Sequence, residues 1–258
     1  KGRPEGVRKR QDRSRDSKPR KRPVAGKSSR RDYLSERKPR YREDQKPMEA
    51  IKMEGLFGTL IPQIQHALIK EEYAVPTPVQ AQAIPPQIES EDLFGSAQTG
   101  TGKTAAFTIP ILQELAGNTK LPESGKPRAL ILAPTRELAA QIGQSIETYG
   151  RFLNIYCTVI FGGVSQKPQE KALDHGVDIV VATPGRLLDL MGQGWVDLSQ
   201  VETFILDEAD RMLDMGFIPD IEKVIDQLPK DRRNGFFSAT VPKAVEDLAA
   251  KILVNPVR

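Results

Sequence analysis

An α/β fold is expected from this sequence, a single parallel sheet doubly wound by helices, and three observations lead there. Short runs rich in Val, Ile, Leu and Phe recur at residues 130–133, 156–161, 178–181, 203–206 and 235–237. Amphipathic stretches at 137–149 and 218–227 lie between them. The runs are apolar nearly throughout rather than alternating, which is the pattern of strands covered on both faces. The third observation is a glycine-rich loop between a strand expected at 92–96 and a helix expected at 103–115. In such sheets ligands sit at the carboxyl ends of the strands, and the motifs below fall at those ends.

An earlier helix is expected at about 61–71, stopping before Pro76 and Pro78, because proline disfavours helical backbone in the residue before it. No repeat of solenoid length is present. The acidic run 214–222 reads as the solvated face of one helix.

Composition divides the 258 residues in two. Residues 1–47 hold 19 Lys/Arg against 7 Asp/Glu, and the remaining 211 hold 19 against 27. The net charge of +4 is therefore +12 on the first segment and −8 on the second. The first segment has almost no aliphatic residues, cannot bury enough apolar surface to offset its chain entropy, and is expected to be a disordered basic tail. Two readings of it stand side by side: electrostatic attachment to nucleic acid, weakened by salt, or a solvated linker. Residues 48–258 are expected to form one domain. With 38% hydrophobic residues and a mean hydropathy of −0.43, no apolar run approaches the eighteen or so residues of a membrane span, so no membrane partner is expected. The first residue is Lys1, not Met, so a preceding segment is expected. The lone Cys157 excludes an internal disulfide framework and a multi-cysteine metal site. It reads as a buried strand residue and fits a reducing, cytoplasmic location. His66 and His175 have no neighbours at metal-ligand spacing, and Trp195 reads as a loop or packing residue.

The glycine-rich loop is Ala97-Gln98-Thr99-Gly100-Thr101-Gly102-Lys103-Thr104, a P-loop in its proper setting between strand and helix. Gly100 and Gly102 let the backbone curl so that N–H groups point at phosphate oxygens. Lys103 brings a positive charge to the β- and γ-phosphates, and the Thr104 hydroxyl is suited to Mg²⁺. Ala97 replaces the glycine of the general pattern, which is tolerable at negative φ. The fold class thereby narrows to a P-loop NTPase domain with ATP and Mg²⁺ as cofactors. The segment Phe204 to Asp210 has the form of a buried strand delivering acids to its tip. Asp207 is placed to hold the hydration shell of Mg²⁺, and Glu208 to polarise the attacking water as general base.

These two motifs together resemble the DEAD-box ATP-dependent RNA helicase family, and five further motifs follow its order and spacing. The resemblance runs from about residue 56 to 258 and implies a RecA-like domain. Val75 to Gln80 resembles the segment whose glutamine, here Gln80, reads the adenine edge. Pro134-Thr135-Arg136, Gly162-Gly163 and Thr183-Pro184-Gly185-Arg186 match RNA-contacting motifs. Ser238 and Thr240 match the motif that links hydrolysis to strand separation, and with Asp210 they are expected to form a hydrogen-bonded link behind the phosphates. The family places an adenine-stacking aromatic about seventeen residues before the glutamine segment. Counting back reaches Gly55, so Phe57, two residues on, is the candidate through a shifted loop.

The acidic balance of residues 48–258 argues against a broadly basic groove. RNA is expected to be held by local donors at helix starts and close backbone approaches, reading backbone shape without sequence preference. The resemblance implies a second RecA-like domain in cis, whose arginines the 258 residues do not contain. An arginine finger is worth about 10³–10⁵ in rate in other phosphoryl-transfer systems, so the chain alone, expected to be a monomer, should turn ATP over slowly. Local duplex separation is the leading function. An ATP-dependent RNA clamp or assembly factor needs the same sites and remains the alternative. A DNA translocase on this fold is disfavoured by the Gln80 segment and by Thr183–Arg186.

Overall fold

The computed structural model describes residues 53–98, 100–118 and 121–258. The basic tail expected at 1–47 and the P-loop residue Thr99 lie outside the described residues. A 3₁₀ turn, Gly55–Thr59, leads into α1 (Pro62–Lys70) and α2 (Pro78–Ile88). There follow β1 (Leu93–Ser96), α3 (Lys103–Gly117), β2 (Ala129–Leu132), α4 (Arg136–Tyr149) and β3 (Cys157–Ile160). Then come α5 (Lys167–Asp174), β4 (Ile179–Ala182), α6 (Pro184–Gly192), β5 (Thr203–Leu206), α7 (Ala209–Asp214) and α8 (Ile218–Ile225). The last two elements are β6 (Arg233–Ser238) and α9 (Lys243–Ile252).

The strands form one sheet in the order β1-β6-β5-β2-β4-β3, and every pairing is parallel. Parallel crossovers are right-handed, so the direction of travel decides which face each helix covers. The steps β1 to β2 and β2 to β3 run toward one edge, while β3 to β4, β5 and β6 run back. Two apolar layers result. Ala129, Ile131, Ile179, Val181 and Ile205 face a layer with Ile64, Ile84, Phe107, Ile142 and Ile146. Their strand neighbours Leu130, Leu132, Val180, Phe204 and Leu206 face a layer with Leu187, Met212, Ile221, Val245 and Leu248. The doubly wound parallel sheet expected from the sequence is the fold observed. No helix among the described residues is long and apolar enough to cross a membrane.

The helix expected at about 61–71 is α1, which stops before both prolines as expected. Pro78 is the first residue of α2, whose start is closed by a capping box between Thr77 and Gln80. Proline suits that position because its missing N–H would have had no partner there. Two local expectations change. The acidic run 214–222 is not one helical face, because Gly216 (φ +75°) breaks it between α7 and α8. Cys157 is half-buried, since β3 is the outer strand of the sheet.

The amino ends of the strands are fastened by buried polar groups. Asp92 accepts from the Asn234 backbone at 2.7 Å and from the Val254 backbone at 2.7 Å. Arg128 pairs with Asp178 at 2.7 Å with both side chains almost wholly buried. Arg233 joins Glu114, Thr203 and the Gln87 carbonyl.

Candidate active site

All six carboxyl strand ends open on one edge of the sheet, and the sheet order places the P-loop (after β1), the 238–240 segment (after β6) and the two acids (after β5) side by side. Gly100 and Gly102 have φ of +81° and +94°, backbone that side chains other than glycine rarely adopt. A Cβ on Gly102 would lie 2.6 Å from Gln80 Nε2 and 3.0 Å from Thr77 Oγ1. The reason is that Gln80 is wholly buried, donating from Nε2 to the Gly102 carbonyl at 3.3 Å and accepting at Oε1 from the Thr77 backbone N–H at 3.0 Å. Both ends of its amide are thus engaged inside the protein. In this structure Gln80 props the last turn of the P-loop, and its second N–H and second lone pair are left for the adenine-reading role expected of it. The Thr-x-x-Gln spacing is the signature of a capping box and could have announced it.

Lys103 begins α3 and is only 5% exposed, yet its Nζ has no hydrogen-bond partner among the described residues. An ammonium buried without a partner is unfavourable, and an incoming anion would relieve it. Asp207, 2% exposed, lies within reach of that charge. Burial raises its pKa to about 6, opposed by Lys103 and assisted by the negative charges of Glu208 and Asp210. One oxygen, Oδ1, accepts the Glu208 backbone N–H at 2.9 Å. Glu208 itself has φ 52° and ψ 52°, a left-handed backbone that costs a non-glycine residue about 1–3 kcal/mol. Its Oε2 accepts from Arg211 Nη1 at 3.2 Å.

Behind these groups Asp210, Ser238 and Thr240 form a closed set. Asp210 Oδ2 accepts from the Thr240 backbone at 2.8 Å and from its hydroxyl at 2.9 Å. Ser238 Oγ accepts the Asp210 N–H at 3.2 Å and donates to the Thr240 carbonyl at 2.7 Å. Burial acts to raise the Asp210 carboxyl but is outweighed by the hydrogen bonds from Thr240 and Ser238, so it lies below the usual carboxylate range. Thr104 is half-buried beside Lys103, Gln98 is exposed, and the Thr101 hydroxyl is tied to the Gln98 carbonyl at 2.8 Å.

The other three strand ends carry the remaining candidates. After β2, Pro134 is buried, Thr135 Oγ1 caps α4 by accepting the Leu138 N–H at 3.2 Å, and Arg136 is mostly exposed. After β3, Gly162 and Gly163 are exposed, and a Cβ on Gly163 (φ +78°) would sit 3.5 Å from Arg136 Nη1. After β4, Thr183 stands at the start of α6 with no side-chain cap bond, Pro184 is buried and Gly185 exposed. Arg186 turns sideways, donating to Gln169 Oε1 at 3.4 Å and to the Val164 carbonyl at 3.3 Å. That pairing was not visible in the sequence.

Comparison with known proteins now decides the family. Residues 77–248 match the family model described as DEAD/DEAH box helicase. The chain belongs to that family. It is 45% identical over 199 residues to the DEAD-box ATP-dependent RNA helicase 40 of Arabidopsis thaliana, covering 77% of this chain and 18% of that protein. It is 43% identical over 201 residues to the ATP-dependent RNA helicase DeaD of Buchnera aphidicola, covering 78% of this chain and 33% of that one. A solved DEAD box protein from Methanococcus jannaschii superposes with a TM-score of 0.71 at 40% identity, over 77% of this chain and 53% of that chain. The chain thus spans a third or less of these two curated relatives and about half of the solved one.

Within this DEAD/DEAH box domain one candidate is displaced. Phe57, expected to stack on adenine, is fully buried in the core with Leu60, Ile64 and Leu68. Its 3₁₀ turn points the ring inward, where it cannot meet a purine. Gly55, where the family spacing lands, has φ +63° and open space around a built Cβ.

Proposed function

We propose that this chain is the ATP-binding and RNA-gripping domain of an ATP-dependent RNA helicase, coupling ATP binding and hydrolysis to local separation of RNA duplexes. The observation that carries the reading is the buried Lys103 Nζ, without a hydrogen-bond partner among the described residues, set beside the buried Asp207. A cation and an acid kept out of water, next to a loop of positive-φ glycines, fit a magnesium–triphosphate. The Thr104 hydroxyl and Asp207 would hold the metal, and the metal supplies charge neutralisation for the transferring phosphate.

The chain's own residues then divide the work. Lys103 and the N–H groups at the start of α3 bind and orient phosphate oxygens. Glu208, held on a strained turn, accepts the proton of the attacking water. Asp210 joins the β5 tip to the 238–240 segment, so a change on one strand end is felt on the next. Arg136, Gly163 and the start of α6 offer donors to a phosphodiester backbone and no array suited to base edges, which supports binding without sequence preference. A second RecA-like domain in cis would complete the charge around the transferred phosphate.

The test is RNA-stimulated phosphate release and duplex separation by the natural protein that carries this domain, with Glu208→Gln alongside. Strand separation that fails in the variant while ATP still binds supports the reading. RNA held in the presence of ATP with no separation of strands would make the protein a clamp. Absence of ATP binding would end both.

A further inference from the structure

The first turns of α4 and α7 stand next to each other, because β2 and β5 are neighbours with Leu132 opposite Leu206. The Asp207 N–H donates to the Leu132 carbonyl at 3.0 Å, fastening the two strand ends together. On these turns four charges alternate in sign. Arg136 Nε bonds Glu137 Oε1 at 2.8 Å, both side chains being mostly exposed. Arg211 Nη1 bonds Glu208 Oε2 at 3.2 Å, the arginine 55% exposed and the glutamate 12%. The two pairs are in electrostatic contact: the Arg136 hydrogen bond holds Glu137 below the usual carboxylate range, and the charge of Arg211 adds to that effect. Arg136 meanwhile lies against Gly163, on the face offered to RNA.

We infer that Arg211 is a positioning residue that latches Glu208 until RNA arrives, and that Glu137 is the group that draws it off. The inference rests on the ATP and RNA sites proposed above. The Glu208 carboxylate is turned toward Arg211, with Oε2 on Nη1 at 3.2 Å, so it is out of position to orient a water while Arg211 holds it. A phosphate on Arg136 competes for the donors that now satisfy Glu137. Glu137, left short of positive charge, attracts Arg211, and Glu208 is released to face water. The switch needs only an exchange of partners among four side chains, three of which are largely exposed.

Exposed ion pairs shift equilibria by up to about fivefold, which sets the scale of the effect. The experiment measures ATP turnover with and without single-stranded RNA for the natural protein and for Arg211→Ala, Glu137→Gln and the double variant. Equilibrium binding of fluorescent ADP and of RNA is measured on the same samples. Arg211→Ala should raise RNA-free turnover about two- to fivefold and lower the stimulation ratio accordingly, with ADP binding unchanged. Glu137→Gln should leave RNA-free turnover alone and reduce the rate at saturating RNA, and the double variant should follow Arg211→Ala. A merely structural arginine would lower both rates together; that result, or an unaltered ratio, overturns the latch. If the natural protein binds neither ATP nor RNA, the function proposed above fails and the latch with it.

Discussion

At the ends of β1 and β5 the charged side chains Lys103 and Asp207 are buried, whereas Arg136 after β2 and Gly162-Gly163 after β3 stand in solvent. Lys103 and Asp207 are 5% and 2% exposed, while Arg136 is 60% exposed on its side chain. The first pair suits a small, highly charged ligand that can be enclosed: removing water strengthens each charge interaction, and the site is built before the ligand comes. The second suits a long polymer that must enter and leave sideways. Its donors would be backbone N–H groups and the exposed guanidinium of Arg136, beside exposed glycines that would let a strand approach. Enclosure and passage require opposite burial, and the sheet order keeps them apart while sharing the β5–β2 boundary.

This contrast can be broken by substitution. The largest effect is expected from Glu208→Gln, which should retain nucleotide affinity and reduce turnover about 10²–10⁴-fold, read by parallel binding and phosphate-release assays. Lys103→Met should reduce turnover about 10²-fold or more. Because its Nζ is buried with no hydrogen-bond partner among the described residues, the ligand-free melting temperature should stay level or rise, which calorimetry would show.

Asp207 sharpens the same point through pH. Its folded pKa, about 6, lies above the ordinary carboxylate value of 3.8. The folded state therefore binds the proton more tightly, and the stability this contributes is complete below about pH 4 and lost as pH rises through 6. Asp207→Asn should then stabilise the ligand-free chain by about 2–3 kcal/mol at pH 8, with the gap closing toward pH 4 in denaturant titrations. A gap independent of pH would contradict the burial of a charge there. The smallest effect belongs to the open half. Arg136→Ala should weaken RNA binding about fivefold, make its salt dependence shallower by about one unit, and leave ADP binding untouched.

Much of this was legible in the chain. The apolar runs gave five of the six strands to within two residues and the glycine-rich loop gave β1, while the polar start of β6 at Arg233 and Asn234 blurred its first two residues. Lys103, Thr104, Asp207 and Glu208 stood out because phosphate and metal chemistry asks for those residue types at that spacing. What stayed hidden was decided by packing. Phe57 is apolar whether it fills a core or stacks on a base, and only the inward turn of the 3₁₀ segment distinguishes the two. Gln80 was read for its side-chain chemistry, while its position three residues after Thr77 gave it a backbone to hold. Arg186 was read as an RNA contact and Arg211 was not singled out; the Gln169 and Val164 partners of the first and the Glu208 partner of the second became apparent only in the folded chain.

The polar bolts at the amino ends of the strands have a consequence for how the domain moves. Asp92, Arg128 and Arg233 clamp that rim with buried bonds, while the opposite rim consists of loops and helix starts. Amide protons should therefore exchange with deuterium slowest near residues 92, 128 and 233 and fastest around the P-loop and residues 162–163. Ligands would slow the second group and hardly touch the first, so the domain works as a stiff plate with one responsive margin.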